Sequence, residues 1–335
     1  MAGSLAWDSS PRQHRVTVAL FDDGADLAHE ELRNQLWTNR REAEGVPGVD
    51  DDGNGYVDDV HGWDFVDDDP NVSPEGVCVG RSSHGTLMAS LVAAERNNGA
   101  GIAAAGSDGA RIMMLRIAGC GGRAKDRADP DRMIRALNYA TRMGAKILSF
   151  SAHWPSTTPE LDATFARIAD SSSDEAAIVV ASVPSKGEPV AGYPAAYTFR
   201  RIVRAVPIGN DDMISPGTSR APPGLNLGAP SACVLGASAS RAGYRIDQGS
   251  SNSAAILAGL LAGLWSSPRF AGLSAEAFTE QVVRDRMLRT RRQSPPDLSG
   301  HFPEGVPLAD ACTLATREKT ARVCLEPGQP RGPSK

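Results

Sequence analysis

The sequence predicts an α/β fold, in which a doubly wound and mostly parallel sheet carries helices on both faces. Short apolar runs of strand length alternate along the chain with amphipathic segments of helix length. Runs that are apolar throughout are typical of a parallel sheet covered by two helical layers. With 335 residues and 41% hydrophobic residues, the chain can bury a large core within one domain of about 250 to 300 residues.

The predicted strands are five apolar runs before residue 207. Apolar residues, many of them β-branched, dominate each run, and polar or glycine-containing segments separate the runs. The five runs are Val16 to Phe21, Ile112 to Ile117, Ile147 to Ser151, Ala177 to Ser182 and Ile202 to Val206.

A helix is predicted over residues 131 to 143. Proline just before this segment (Pro130) and glycine just after it (Gly144) occupy the usual places for these residues at helix ends. The apolar face of the helix consists of Ile134, Leu137 and Ala140.

Three further helices follow from local sequence. The segment that opens with Thr158-Pro159-Glu160 places Leu161, Phe165 and Ile168 on one face of a helix. Small and apolar residues from Leu87 to Ala94 and from Ala254 to Trp265 predict two helices that are buried on most of their surface.

Composition indicates one structured domain, residues 15 to 325. Residues 1 to 14 are polar and show no periodicity, and residues 326 to 335 contain three prolines and little that a core would bury. Both ends are therefore predicted to be flexible tails.

Charge and hydropathy give no reason to expect nucleic acid or a membrane as a partner. The formal net charge is −5 with both signs mixed along the chain. No apolar run approaches the roughly 20 residues that cross a bilayer. The N-terminus shows no signal-peptide pattern, so either the protein is made without one or a leader has been removed.

Five cysteines leave at least one thiol outside any disulfide. Cys312 and Cys324 are close enough in sequence to close a small loop, and Cys78 and Cys120 form a second candidate pair. Cys233 is predicted to be a buried strand residue. A disulfide would favour a secreted or periplasmic location, which otherwise stays undetermined.

Three short segments carry the residue types of a serine hydrolase. Asp22 follows the first strand, His84 opens a small-residue helix, and Ser250 and Ser251 open another. A serine hydroxyl needs an imidazole to remove its proton during attack, and a buried carboxylate fixes the imidazole tautomer and stabilises its cation. The order along the chain is Asp, His, Ser.

Each segment has a simpler interpretation when taken alone. An aspartate beside a glycine is most often a turn residue. His84 would otherwise be a helix-start residue behind an N-cap at Ser83, and the two serines would be caps as well. The joint order and local context of the three segments favour the catalytic interpretation.

The chain resembles the subtilisin-like serine proteases from about Val16 to about Leu314. The segment VTVALFDDGADLAHEEL is similar to the Asp segment of that family, SSHGTLMASLVAA to its His segment, and GSSNSAAILAG to its Gly-Thr-Ser segment. Asp, His, Ser is the known order in subtilisin. The resemblance implies a catalytic triad of Asp22, His84 and Ser251, and peptide hydrolysis through an acyl-enzyme.

An acidic loop between the Asp and His segments is a candidate calcium site. Oxygen ligands at alternating positions around a glycine turn suit this hard cation. The candidate ligands are Asp50, Asp52, Asn54, the Tyr56 carbonyl and Asp58.

The loop departs from a standard EF-hand. His61 replaces the glutamate at the twelfth position, and no helix is predicted before the loop. The family resemblance implies a bound structural calcium ion, with Asp59 as an alternative ligand. An acidic surface loop held by Asn-Gly and Asp-Gly turns is the other interpretation.

The resemblance also implies where a peptide or protein substrate binds. Family members hold an extended peptide as an added strand, with main-chain hydrogen bonds for affinity and side-chain pockets for selectivity. The matching segments are Ile117 to Gly122, which includes Gly119 and Gly121, and Ser151 to His153. A mobile loop is the alternative for the first, glycine-rich segment.

Two departures from the family pattern bear on activity. Ser151-Ala152-His153-Trp154 stands where the family has Ser-Leu-Gly-Gly, so bulky residues are expected to restrict the primary specificity pocket. Ser185 stands where the family has its oxyanion asparagine. Loss of that asparagine in subtilisin costs about 100 to 1000-fold in turnover, and a serine donor has a shorter reach.

These observations leave three hypotheses. The first is a serine endopeptidase of restricted specificity. The second is a weak or inert domain of the same fold that binds peptides, and the third is a peptide ligase or cyclase that passes the acyl group to an amine. The resemblance further implies an inhibitory propeptide as a partner.

Overall fold

The computed structural model of the chain describes residues 14–74, 84–119, 129–185, 187, 191–211, 213–239, 243–284, 291–292, 302 and 306–307. Seven strands form one sheet in the order β2-β3-β1-β4-β5-β6-β7, and every neighbouring pair in it is parallel. The seven strands are β1 (Val16–Asp22), β2 (Gly62–Asp64), β3 (Ala110–Arg116), β4 (Ile147–Phe150), β5 (Ile178–Ser182), β6 (Ile202–Ile208) and β7 (Leu225–Pro230).

Two short antiparallel ribbons and six helices complete the described structure. The ribbons pair β8 (Val234–Ala237) with β9 (Tyr244–Asp247), and β10 (Arg291–Arg292) with β11 (Val306–Pro307). The helices are α1 (Arg40–Ala43), α2 (His84–Ala93), α3 (Pro130–Arg142), α4 (Pro159–Ala169), α5 (Ser250–Trp265) and α6 (Ala275–Phe278), and a π-helical turn, Thr279–Arg284, continues α6.

Alternate residues of the central strand β1 face different helical layers. Val18 and Leu20 belong to the core cluster that includes α2 and α5. Ala19 and Phe21 belong to the cluster that includes α3 and α4. Since side chains alternate along a strand, this arrangement requires apolar residues at every position, and it confirms the predicted doubly wound fold with helices on both faces.

Side chains cap the starts of helices α3 and α4. Asp129 accepts a hydrogen bond from the Arg132 N–H at the start of α3, and Thr158 accepts one from the Leu161 N–H at the start of α4. Pro130 and Pro159 occupy the first turns of these two helices.

Helices α2 and α5 pack closely on one face of the sheet. Gly259 makes this approach feasible, because a Cβ atom at this position would collide with the Val92 carbonyl oxygen. This packing brings together the two helices whose first turns carry His84 and Ser251.

The structure adds to the main sheet two strands that the apolar runs did not predict, and it corrects the prediction for one residue. Strand β2 has only three residues, and β7 contains a glycine and a proline, so neither has a strong strand pattern. Cys233 is half-buried with a φ of 52°, just before β8, so the prediction of a buried strand residue is wrong.

The remaining predictions about the chain ends and cysteines fall mostly outside the described residues. These include the N-terminal tail up to residue 13, the C-terminal tail, and the four cysteines of the candidate disulfides, namely Cys78, Cys120, Cys312 and Cys324. Among the described helices, none combines the length and apolar character needed to cross a membrane.

Candidate active site

Three predicted site residues lie at the carboxyl ends of neighbouring strands. Asp22 is the last residue of β1, Ser151 directly follows β4, and Ser185 follows β5. Because β1, β4 and β5 are adjacent and parallel, their carboxyl ends share one edge of the sheet. Ligand sites of open α/β sheets usually form at this edge.

Asp22 and His84 are joined directly. The Nδ1 atom of His84 lies 2.8 Å from Oδ1 and 2.9 Å from Oδ2 of Asp22. Asp22 is buried, with 8% of its surface exposed, whereas the His84 side chain is 39% exposed. A proton on Nδ1 would donate to the carboxylate, which leaves Nε2 as the atom that can take a proton from a nucleophile.

The charge around His84 favours its protonated form. Burial lowers the pKa of His84, but the charge and hydrogen bond of Asp22 raise it, and the charges of Asp23 and Asp247 add to this effect. The net result is a pKa of about 9.

The His-Gly-Thr sequence is explained by close packing of α2 on the segment after β1. A Cβ atom on Gly85 would collide with the carbonyl oxygen of Gly24, so a larger residue does not fit here. The Thr86 hydroxyl accepts a hydrogen bond of 3.0 Å from the Asp26 N–H. The backbone that carries the His84 imidazole is therefore fixed against the Asp segment.

The nucleophile helix is anchored to the end of β7. The Asn252 side-chain amide donates to the Ser231 carbonyl at 3.2 Å, and the Ser253 hydroxyl donates to the Ala229 carbonyl at 2.9 Å. These contacts fix the first turn of α5, in which Ser251 is the second residue.

The Ser251 hydroxyl contacts Ser151 in this structure. Its Oγ donates to the Ser151 carbonyl at 3.4 Å, and the Ser151 hydroxyl donates to the Ser251 carbonyl at 3.5 Å. The hydrogen bonds of Ser251 do not include His84, so the three triad candidates form one hydrogen-bonded pair and a separate serine. Catalytic hydrogen bonds are often long or misaligned without substrate and tighten when it binds.

The candidate oxyanion residue, Ser185, is separated in sequence from the nucleophile helix by strands β6 to β9, and it follows β5 at the carboxyl edge of the sheet. Ser185 is half-buried. The preceding carbonyl, that of Pro184, accepts a hydrogen bond of 2.8 Å from the Ser219 N–H, which holds this loop in place. The role of Ser185 as an oxyanion donor stays a prediction.

The first predicted substrate segment begins inside the core. Ile117 is 1% exposed, and its N–H donates to the Asp22 carbonyl at 2.9 Å. Its N–H is therefore already used within the protein. Gly119 is half-buried, and Gly121 lies outside the described residues.

The second predicted substrate segment follows β4. Ala152 is exposed, and His153 and Trp154 are half-buried. The Trp154 ring packs at centroid distances of 6.2 Å from Phe150 and 6.3 Å from Phe165. The ring thus contributes to the aromatic core on the α4 side of the sheet, and the restriction of the specificity pocket by this residue stays a prediction.

Comparison with protein families identifies the chain's relatives. The model of the subtilase family matches residues 13–306, which is most of the chain. The chain belongs to the subtilase family.

Relatives of this subtilase include proteins from a parasite and from bacteria. It is 40% identical over 98 residues to Subtilisin-like protease 1 of Plasmodium vivax, a match that covers 29% of this chain and 14% of that protein. It is 24% identical over 227 residues to the Major intracellular serine protease of Bacillus subtilis (strain 168), which covers 63% of this chain and 60% of that protein. The subtilase therefore spans only a small part of the Plasmodium relative.

Solved structures show the same fold. Sphericase matches with a TM-score of 0.64 and 17% identity, over 86% of this chain and 88% of that chain. The prenylagaramide maturation protease PagA also matches with a TM-score of 0.64, at 15% identity, over 92% of this chain and 95% of that chain.

The acidic loop of the subtilase uses some of its predicted ligands as turn caps. Asp50 accepts hydrogen bonds from three backbone N–H groups, those of Gly53, Asn54 and Gly55, and the Gly55 bond is the largest of the effects that lower its pKa. Asp58 accepts one from the Gly48 N–H. The Tyr56 side chain packs against neighbouring aromatic rings.

Three other carboxylates converge beside this loop. Oxygens of Glu42, Asp52 and Asp59 lie within 4.8 Å of one another. Glu42 is 4% exposed and Asp59 is fully buried. None of the ion pairs that the described residues form involves any of these three carboxylates.

Asp59 is the most confined of the three. The Tyr139 hydroxyl donates to it at 2.6 Å, and the side-chain amides of Asn39 and Asn54 donate at 2.7 and 2.9 Å. Burial nevertheless raises the pKa of Asp59 to about 6. A buried group of carboxylates with no basic partner fits a hard cation with oxygen ligands.

Glu42 is the carboxylate of this group that sequence reasoning missed. It lies on the one-turn helix α1, which precedes the loop although no helix was predicted there. Its carboxylate accepts hydrogen bonds from the N–H groups of Asp51, Asp52 and Asp58. A glutamate in a polar stretch gives no sequence signal of burial.

Proposed function

We propose that this subtilase is a serine endopeptidase. The observation that carries the proposal is the buried Asp22 carboxylate on Nδ1 of a partly exposed His84, at the sheet edge toward which the Ser251 helix is anchored. In the proposed reaction, Ser251 Oγ attacks the peptide carbonyl while His84 Nε2 takes its proton. His84 then returns the proton to the leaving amine. Water next attacks the acyl-enzyme while His84 takes its proton, and His84 returns that proton to Ser251 Oγ as the acid product leaves.

The other groups of the proposed site position the reacting atoms and stabilise the charges that form. Asp22 holds the imidazole tautomer and stabilises the imidazolium. The Ser251 N–H and Ser185 are the proposed oxyanion donors, and the backbone after Ser151 is the proposed binding edge for an extended peptide.

A weakly active or inert peptide-binding domain is the second candidate. It is favoured by the Ser251 hydrogen bond to Ser151 in place of His84, and by the serine at the oxyanion position. Incubation of the full chain with a peptide library, followed by mass spectrometry of the products, separates the two candidates. Cleavage that a serine-directed sulfonyl fluoride blocks supports the peptidase, and intact peptides support the binding domain. Masses that include an added amine acceptor would indicate the ligase instead.

The pH dependence of kcat/KM reports the state of His84. The imidazole must be neutral to accept the serine proton, and its pKa of about 9 means that it is protonated at neutral pH. We therefore expect kcat/KM to rise with pH through an apparent pKa well above the ordinary value of 6.5. Initial rates measured from pH 5 to 10 test this, and a rise in kcat/KM that is complete below pH 7 would contradict it.

We also propose a structural calcium ion beside the acidic loop. Glu42, Asp52 and Asp59 would supply carboxylate oxygens, and rotation of the amides of Asn39 and Asn54 would add two more oxygens. The ion would neutralise the buried carboxylates and tie α1 to the loop.

Removal of calcium is expected to lower the melting temperature. With calcium at about 100 times its dissociation constant, binding contributes about 2.7 kcal/mol, or roughly 5 °C. The calcium-dependent increment should vanish in Asp59→Asn and persist in the matched variant Asp50→Asn, whose carboxylate caps a turn. Loss of the increment in Asp50→Asn alone would instead support the ligand set predicted from loop spacing.

A further inference from the structure

Asp23 is an acidic residue beside the triad that the proposed reaction does not use. Its Oδ1 accepts a hydrogen bond of 2.7 Å from the Gly85 N–H, and its Oδ2 accepts one of 3.2 Å from the His84 N–H. One carboxylate therefore binds the first two N–H groups of helix α2, across 61 residues of sequence.

These two bonds make Asp23 a helix cap supplied from another segment. The first N–H groups of a helix have no partner within the helix, and a carboxylate there also interacts favourably with the helix dipole. The cap holds the residue that carries the imidazole, and the neighbouring Asp22 binds the imidazole itself. Two consecutive aspartates thus fix the backbone and the side chain of His84.

The charges of three carboxylates act on His84. Asp22 and Asp23 lie at the end of β1, and Asp247 belongs to β9, where the Arg245 guanidinium lies 3.9 Å from its carboxylate. Arg245 partly offsets the charge of Asp247.

We propose that Asp23 is a positioning residue, which fixes the start of helix α2 and with it the His84 imidazole in the geometry that proton transfer needs. This proposal rests on the proposed peptidase function. The negative charge of Asp23 also favours the imidazolium, so Asp23 adds to the proton affinity of His84.

The strength of this capping contact depends on whether the Asp23 carboxyl is ionised. Burial, followed by the charge of Asp22, raises the pKa of Asp23 to about 6. Below that pH the protonated carboxyl is a poorer acceptor for the two N–H groups, and the capping contact weakens.

Two substitutions separate the backbone contact from the charge. Asp23→Ala removes both, and we expect kcat to fall at least about tenfold with little change in KM, since a misplaced imidazole affects the chemical step. Asp23→Asn keeps one acceptor oxygen, so it should retain more kcat than Asp23→Ala. It should also shift the acid limb of kcat/KM to lower pH.

Asp26→Asn is the matched control, since the Asp26 carboxylate accepts a hydrogen bond from the Ala28 N–H within its own turn, and its bond to Thr86 of α2 is made by the backbone N–H, which asparagine keeps. We expect this variant to keep the wild-type kcat and pH profile. If both Asp23 variants also keep them, the proposal is overturned.

An NMR titration tests the proposal without relying on turnover. The His84 imidazole is titrated in Ser251→Ala and in Ser251→Ala/Asp23→Asn, with its signal assigned by loss in His84→Gln. The proposal predicts a lower His84 pKa when Asp23 is replaced, and equal values would contradict it. An inactive wild type with the predicted difference in pKa would count against the peptidase and not against the contact between Asp23 and His84.

Discussion

Ser251→Ala is expected to reduce kcat for peptide hydrolysis by about five to six orders of magnitude. Alanine lacks the oxygen that forms the acyl-enzyme, and losses of this size accompany removal of the nucleophile in subtilisin. The fold should persist, because the hydroxyl makes only a 3.4 Å hydrogen bond to the Ser151 carbonyl. Single-turnover kinetics and thermal melting of the same preparation measure both effects.

Ser250→Ala provides the matched control for this change. Both serines lie in the first turn of α5 and both are half-buried, so the two substitutions perturb the helix start similarly. We expect Ser250→Ala to retain activity within about threefold, which is less than 1 kcal/mol. The reverse pattern would move the nucleophile to Ser250.

Asp22→Asn is expected to lower kcat by about four orders of magnitude near neutral pH. An amide in place of the carboxylate would donate to Nδ1 or leave it unpaired, so the imidazole would hold the wrong tautomer, as in the corresponding change in trypsin. It would also remove the charge that stabilises the imidazolium. Steady-state kinetics with the most rapidly cleaved library peptide measure the loss.

A matched carboxylate outside the site controls for the loss of charge. Asp26→Asn removes a charge four residues along the same segment, and its side chain does not contact His84. If Asp22→Asn retains more than about a tenth of the wild-type kcat, Asp22 does not have the proposed role.

The fold was largely predictable because the strands are apolar on both faces. In β1, Val18 and Leu20 pack toward α2 and α5, while Ala19 and Phe21 pack toward α3 and α4. A run with no polar alternation has few other stable environments in a chain of this size. The short strand β2 and the glycine-containing β7 lack this signal, since their positions depend on pairing with neighbours.

Candidate site residues could be predicted only where they lie within a recognisable sequence segment. Asp22 and His84 are hydrogen-bonded in the structure, and their catalytic roles stay a prediction. The capping contact of Asp23 with α2 depends on how two segments meet in space, so no local pattern indicates it. Glu42 likewise joins Asp52 and Asp59 only through the fold around α1.

The ring contacts of Trp154 were not predictable from its position in the sequence. Its place predicts a bulky side chain at the specificity pocket, which stays a prediction, and in the structure its ring packs on Phe150 and Phe165. A side chain's direction depends on the space that its neighbours leave, and the sequence pattern does not contain that information.

Labelling with a fluorophosphonate tests the central claim most directly, because this probe phosphonylates a serine only when its hydroxyl is activated. The full chain is treated at pH 9 and digested, and the modified peptide is identified by mass spectrometry, with His84→Ala as the control that lacks the base. We predict one modified residue, Ser251, and little or no labelling in the control. No labelling of the wild type, under conditions that label a known serine protease, or labelling that does not depend on His84, would contradict the proposed active site.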